Sequence, residues 1–317
     1  MPAPPGQSVI VTAPSLTRDA VALIERAGGI LHYTAPYPTE ATMIAAARSF
    51  DPVAILSRQG AVSAAVMDAA PRLRIIARHG VGVDDVDLDA ARARRILVTR
   101  APGSNTGAVA EHTMAVLLAM VKRLPAQAAT IAAGGWRGLV MGGDVAGLRL
   151  GLVGAGSIAR AVAGLAGAFG LTVTAYSRHG GAPGLVAASS FRALLAGSDI
   201  VSLHVPRTPE TVDLIDAAAL AAMPRGAWLI NTARGGLVNE AALLGALDRG
   251  HIAGAALDVF TQEPPGVNDR LRTHPLVIAT AHSAGVTPGS LITMGVMAGE
   301  CIAAVLNGRS PAPERLV

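Results

Sequence analysis

Short apolar runs alternate along the chain with longer stretches of helical periodicity. Ser8 to Thr12 reads as a strand, Ala20 to Ala27 as a helix, and further strands follow at Val53 to Leu56, Leu73 to Ala77 and Ile96 to Val98. Strand and helix in alternation imply crossover units and a parallel sheet. The segment Ala101-Pro-Gly-Ser-Asn breaks the rhythm. Beyond it, Ala110, Met114, Leu117, Leu118 and Val121 recur at helical spacing, which predicts a long helix capped by Ser104 or Asn105.

A second alternating series runs through Leu148 to Val153, Leu171 to Tyr176, Ile200 to Leu203, Trp228 to Ile230, Ala253 to Leu257 and Val277 to Ala279. That is a full doubly wound sheet by itself. The expected fold class is α/β, with two Rossmann-like, doubly wound parallel-sheet domains, one inserted into the other. The expected parts are residues 1–99, an inserted domain at 100–285, and a returning segment at 286–317 that carries a helix from about Pro288 to Leu306. Thr99 to Ser104 and Ser283 to Thr287 become hinges, and closure about them would shut water away from a reacting carbon.

Composition narrows the chemistry. With 317 residues, 51% hydrophobic and 15% charged, the chain has enough material for two globular cores. Its 36 glycines and 20 prolines are scattered between periodic segments, as turns are. The formal charge of +4 is dispersed, with no basic run interleaved with aromatics, so no nucleic-acid partner is expected. Lys122 is the sole lysine, which leaves Schiff-base chemistry almost without a candidate. Cys301, the sole cysteine, excludes internal disulfides and cysteine-rich metal sites and suits a reducing cytoplasm; no spacing of Cys, His and acids suggests a metal. Residues 1–8 show no signal-peptide pattern, and the uncharged span 275–299 is broken by Pro, Gly, Ser, Thr and His, so a buried rather than a membrane segment is expected.

Gly154-Ala-Gly-Ser-Ile-Ala159 stands between a predicted strand and a predicted helix. Gly154 and Gly156 permit a tight turn and close approach of a pyrophosphate, and Ser157 and Ile158 offer N–H groups at the helix start. Plain turns and S-adenosylmethionine enzymes share such glycines; the strand before and the strand ending at Tyr176 favour a dinucleotide. Where an acid would hold the ribose hydroxyls of NAD, the chain has Ser177 and Arg178, which suit a 2'-phosphate. NADP(H) is therefore the favoured cofactor, NAD(H) remains possible, and a merely solvated Arg178 is the competing account.

Three polar residues stand in three separate signatures downstream. Arg234 follows a predicted strand end with Thr232 and Ala233, at the carboxyl edge where ligands of such sheets bind, and Gly235-Gly236 leaves room beside it. A guanidinium grips a carboxylate with two parallel hydrogen bonds. His282, in Ala281-His-Ser-Ala-Gly, is a proton carrier of useful range, and Glu263, in Leu257-Asp-Val-Phe-Thr-Gln-Glu-Pro, would orient it and favour its protonated form.

Taken in order, these motifs make the chain similar to the D-isomer-specific 2-hydroxyacid dehydrogenase family. The resemblance implies that Arg234, Glu263 and His282 act together as catalytic residues. It also implies that Val81 and Gly82, in Arg78-His-Gly-Val-Gly-Val-Asp, offer N–H groups to the substrate carboxylate, and that Asp258 contacts the nicotinamide carboxamide. The stretch His204-Val205-Pro206 resembles a cofactor-covering loop, and Asn105 to His112 a hinge segment. Arg78 is a candidate for a phosphate or second anionic group, Arg58 a weaker one. Asp85 and Asn239 stand where the family usually has Asn and Asp. Within the family, reduction of a small 2-keto acid of the hydroxypyruvate or glyoxylate type suits Ser177 and Arg178 best. Phosphoglycerate oxidation is the rival; those enzymes often carry a further regulatory domain, which is not seen after Val317. Formate dehydrogenases pair the histidine with Gln, against Glu263. A dinucleotide-sensing corepressor is the alternative of another class. A homodimer formed through the nucleotide domain is the expected assembly.

Overall fold

The computed structural model describes residues 7–136, 140–178, 180 and 184–317. The Pro-rich first six residues, and His179 of the Tyr176-Ser-Arg-His stretch, lie outside the described residues. The chain divides into two compact units, Met1–Asn105 with Val286–Val317, and Thr106–Gly285.

The first unit holds strands β1 (Gln7–Val11), β2 (Gly29–Tyr33), β3 (Ala54–Ser57), β4 (Ile75–Arg78) and β5 (Leu97–Thr99), all parallel, in the order β2-β1-β3-β4-β5. Helices α1 (Arg18–Arg26), α2 (Glu40–Phe50), α3 (Ala64–Asp68) and α4 (Leu88–Ala93) connect them. Successive strand residues point to opposite faces, so each buried strand feeds two cores. Val9, Val11, Leu56, Ile75 and Ala77 face Ile24 of α1 and the returning chain; Ile10, Ile55, Ile76 and Val98 face Met43, Val66, Met67 and Ala91. Strand β2 was not foreseen: Gly29-Ile-Leu-His-Tyr is short, starts on glycine and sits at the sheet edge, so its apolar content is low.

The second unit begins with α5 (Thr106–Val121) and α6 (Leu124–Ala132). Its sheet comprises β6 (Arg149–Val153), β7 (Thr172–Tyr176), β8 (Val186–Ala187), β9 (Ile200–Leu203), β10 (Ala227–Asn231), β11 (Ile252–Leu257) and β12 (Val277–Ala279). The order is β12-β11-β10-β9-β6-β7-β8, parallel throughout. Helices α7 (Ser157–Ala168), α8 (Phe191–Ala196), α9 (Ala217–Ala222), α10 (Glu240–Asp248) and α11 (Arg270–Thr273) complete it. The chain winds outward from β6 to β8 and then returns to β9 on the other side of β6. That reversal creates the switch point where doubly wound sheets bind ligands. Leu152, Ile200, Ile230 and Ala256 pack under α5 and α7; their neighbours Val153, Val201, Leu229 and Leu257 pack under α8, α9 and α10.

The expected cap of α5 is corrected. Ser104 Oγ turns back to the Ala101 carbonyl at 2.7 Å, and Asn105 Oδ1 is buried without a hydrogen-bond partner, so neither side chain closes the helix.

Helix α12 (Pro288–Leu306) belongs to the first unit and starts with a capping box between Thr287 and Ser290. It is long and apolar enough to cross a membrane, but Ala298, Cys301, Ile302 and Val305 pack against Val9, Val11 and Ile24. Those contacts make it a core helix of this unit.

Candidate active site

At the switch point, Gly154 follows β6 with φ +110°, a conformation that favours glycine. A Cβ there would lie 2.3 Å from the His204 carbonyl oxygen and 3.2 Å from Val205 Cγ1, so two loops meet over a residue that must lack a side chain. Gly156 is the N-cap of the 12-residue α7, and a Cβ on it would meet nothing within 4 Å. The first N–H groups of that helix, those of Ser157 and Ile158, have no intrahelical acceptor. A bare turn with exposed helix N–H groups fits a pyrophosphate.

His204 begins the loop after β9, with Nε2 2.9 Å from Ser202 Oγ; burial pushes its imidazole down to about 4. A neutral ring is thus a wall of this site rather than a charge in it. Pro206 accepts Thr211 Oγ1 at 2.8 Å. Thr232, after β10, faces Thr113 of α5 at 3.0 Å between hydroxyls. Arg178 follows β7, and its Nη1 lies 4.0 Å from Glu210 Oε2; Ser177, beside it, accepts the Gly180 N–H through its carbonyl at 3.1 Å.

Arg234, Glu263 and His282 come from the loops after β10, β11 and β12, three neighbouring strands, so one sheet edge carries all three. Asn231 shapes the first loop: its amide donates to the Arg234 carbonyl at 2.8 Å and its Oδ1 accepts the Ala233 N–H at 3.1 Å. Gly235 brings that loop against the next, since a Cβ there would fall 1.8 Å from the Phe260 carbonyl oxygen. Glu263 Oε1 accepts the Phe260 N–H at 3.1 Å, and Oε2 faces His282 Nδ1 at 2.7 Å. A carboxylate at that distance places a proton on Nδ1 of the half-exposed ring.

The electrostatics follow from this geometry. The hydrogen bond and charge of Glu263 raise the His282 pKa against burial and the Arg234 charge, with a smaller lift from Asp258. Burial works to raise the Glu263 carboxyl, but His282, the Phe260 N–H and Arg234 outweigh it and hold the group below the usual range. Arg234 thus acts on both members of the pair.

Asp258 has a role the sequence did not reveal. Its side chain is 1% exposed, and Oδ1 accepts Thr280 Oγ1 at 2.6 Å and Ser283 N–H at 2.8 Å while Oδ2 accepts Ala284 N–H at 2.9 Å. The Asp258 carbonyl takes the His282 N–H at 2.7 Å. His282 itself has φ +49°, so this buried carboxylate secures a strained loop under the imidazole. His112 Nε2 supports the same loop from α5, 3.2 Å from Thr280 Oγ1. Asn239, where the family usually has Asp, is the N-cap of α10 and accepts Ala242 N–H at 2.9 Å.

In the first unit, the side chain of the candidate anion ligand Arg78 braces its own loop. Its Nε donates to the Gly82 carbonyl at 2.9 Å, Nη1 to the carbonyls of Ser57 and Arg58 at 3.0 and 2.7 Å, and Nη2 to Asp85 at 2.9 Å. Asp85 thereby explains its departure from the usual Asn: a charge closes the clamp. With Arg78 committed, Val81 and Gly82 sit in a loop fixed from beneath. Among the described residues the hydrogen bonds of Arg58, which sits just past β3, are made by its backbone: its N–H donates to Thr12 Oγ1 and its carbonyl accepts from Arg78.

Residues 114–284 match the NAD binding domain of the D-isomer specific 2-hydroxyacid dehydrogenases, a segment that contains the glycine turn and all three polar signatures. The chain belongs to that family. The family's NAD binding domain accounts for the glycine turn as a nicotinamide dinucleotide site. D-3-phosphoglycerate dehydrogenase of Mycobacterium tuberculosis is 40% identical over 253 residues, 78% of this chain and 48% of that protein. The chain spans about half the length of the curated relatives it matches. Among solved structures, the TT0316 protein of Thermus thermophilus is 39% identical with a TM-score of 0.91, covering 98% of this chain and 100% of its own. An NADPH-dependent glyoxylate/hydroxypyruvate reductase of Sinorhizobium meliloti is 28% identical with a TM-score of 0.84, covering 98% and 97%.

Proposed function

We propose that this chain is an NAD(P)-dependent oxidoreductase that reduces a small 2-keto acid of the hydroxypyruvate or glyoxylate type to its D-2-hydroxy acid. The observation that carries the reading is the 2.7 Å contact between Glu263 and His282 beside the Arg234 charge, on the sheet edge that ends at the glycine turn. A nicotinamide dinucleotide, held by the turn at Gly154 and the first N–H groups of α7, would supply the hydride. Arg234 binds the substrate carboxylate and draws electron density from the keto oxygen. His282 delivers a proton from Nε2 to the nascent alkoxide, and Glu263 keeps the ring charged and correctly turned. Asp258 holds the loop from which His282 projects.

Ser177 and Arg178 support NADP(H) over NAD(H), because a guanidinium pairs with a 2'-phosphate and Ser177 stands at the end of β7 where NAD-binding sheets carry an acid. A homodimer is also proposed. Helix α6 buries no residue, and Leu124, Ile131, Trp136 and Met141 are exposed around it, the last two by 79% and 88%. Apolar surface of that extent calls for a partner.

Loss of NADPH absorbance with a panel of 2-keto acids tests the reading. Turnover of hydroxypyruvate or glyoxylate is expected; flat absorbance with every acid would favour a dinucleotide-sensing corepressor. The second reading, phosphoglycerate oxidation, draws on Arg58, a cation at the end of β3, and on the curated relatives. It wins if 3-phosphoglycerate is oxidised efficiently and Arg58→Ala raises its KM alone.

A further inference from the structure

We infer that Glu210 is a specificity residue for the adenosine end of the dinucleotide, a carboxylate held against Arg178 that tempers the preference for a 2'-phosphate. The inference rests on the NADP(H) reading above. Arg178 leaves the tip of β7, and Glu210 belongs to the loop after β9, so the two approach from either side of β6. Their charged atoms are 4.0 Å apart, with 58% and 62% of the side chains exposed. An exposed pair at that separation contributes little to folding. Its consequence lies in competition.

The acid is fixed by its own loop. Thr208 Oγ1 donates to Glu210 Oε2 at 2.7 Å, which also holds the carboxyl below its ordinary range and hence charged at neutral pH. Thr211 braces Thr208 in turn, accepting its N–H at 2.7 Å and donating to the Pro206 carbonyl at 2.8 Å. Glu210 is therefore a tethered anion, and among the described residues it is the acid paired with Arg178.

In this fold the tip of the second strand is where the ribose of the adenosine half is read. A 2'-phosphate arriving there must share the Arg178 guanidinium with the carboxylate that Thr208 holds beside it, and like charges repel. A ribose without the phosphate meets no such conflict. Glu210 thus lowers affinity for the phosphorylated form selectively, and it narrows the gap between the two cofactors.

Calorimetric titration with adenosine 2',5'-bisphosphate and with AMP tests this without turnover. For Glu210→Gln, the bisphosphate Kd is expected to fall about 3–10-fold at low salt, an advantage that shrinks as salt screens the charges. The AMP Kd should move by less than about 2-fold, since no second phosphate is involved. Arg178→Ala should weaken the bisphosphate and spare AMP. An unchanged bisphosphate Kd in Glu210→Gln, with Arg178→Ala weakened, overturns the role of Glu210 and leaves the NADP(H) reading standing. Equal shifts for both ligands in Glu210→Gln also overturn it, because the substitution then acts on the loop as a whole. If Arg178→Ala binds both ligands like the parent, the NADP(H) reading itself falls and takes this inference with it.

Discussion

His282 combines a left-handed backbone, a carboxylate at 2.7 Å on Nδ1 and a half-exposed ring. In the proposed reaction His282 delivers the proton, so His282→Ala should reduce kcat by about 10²–10⁴-fold while the Kd for the dinucleotide stays within a factor of about two. A variant that turned over at the parent rate would remove His282 from the reaction. The sign of the pH effect follows from its raised pKa. Reduction needs the protonated ring, so kcat/KM is expected to decline as pH rises through that value. Glu263→Gln removes the largest raising influence and should move the decline to lower pH. A profile with the same midpoint in both proteins would contradict the pairing.

Elements position these residues by close approach. The turn at Gly154 and the loop contact at Gly235 both depend on a missing side chain, 2.3 Å and 1.8 Å from neighbouring carbonyl oxygens. Gly154→Ala adds a steric clash to a φ of +110° and should cost about 1–3 kcal/mol of stability together with most of the dinucleotide affinity. Thermal melts with and without NADPH would show it; full retention of the cofactor-induced rise in Tm would refute the assignment of this turn. The glycine turn, the late helix and the strands other than β2 and β8 were readable as pattern. The clamp of Arg78 on Gly82, and the work of Asp258 beneath His282, were not. Both bring together groups separated in sequence, Arg78 with Ser57 and Asp258 with Ser283 and Ala284, and hydrophobic periodicity carries no information about such pairs.

At the scale of the molecule, the first unit is closed by a helix from the far end of the chain. Ile302 of α12 is fully buried among residues of β1, β3 and α1. Ile302→Ala should destabilise this unit by about 2–5 kcal/mol, or roughly 5–15 °C in Tm. An unaltered melt would deny α12 its place in the core. Assembly is read separately: Ile131→Asp on α6 should convert a dimer to a monomer in sedimentation velocity, and a monomeric parent protein would end the proposal.

Alternating hydrophobicity by itself determined that the chain is α/β with two parallel sheets, because a strand buried on both faces and an amphipathic crossover helix leave distinct periods in sequence. The order of Arg234, Glu263 and His282 in their signatures was likewise legible. Tertiary structure alone decided that Arg78 braces a loop, that Asp258 is enclosed, and that Glu210 meets Arg178 across β6. The reason is physical: a charged side chain's role depends on which partner lies within a few ångströms, and only the folded chain sets that distance.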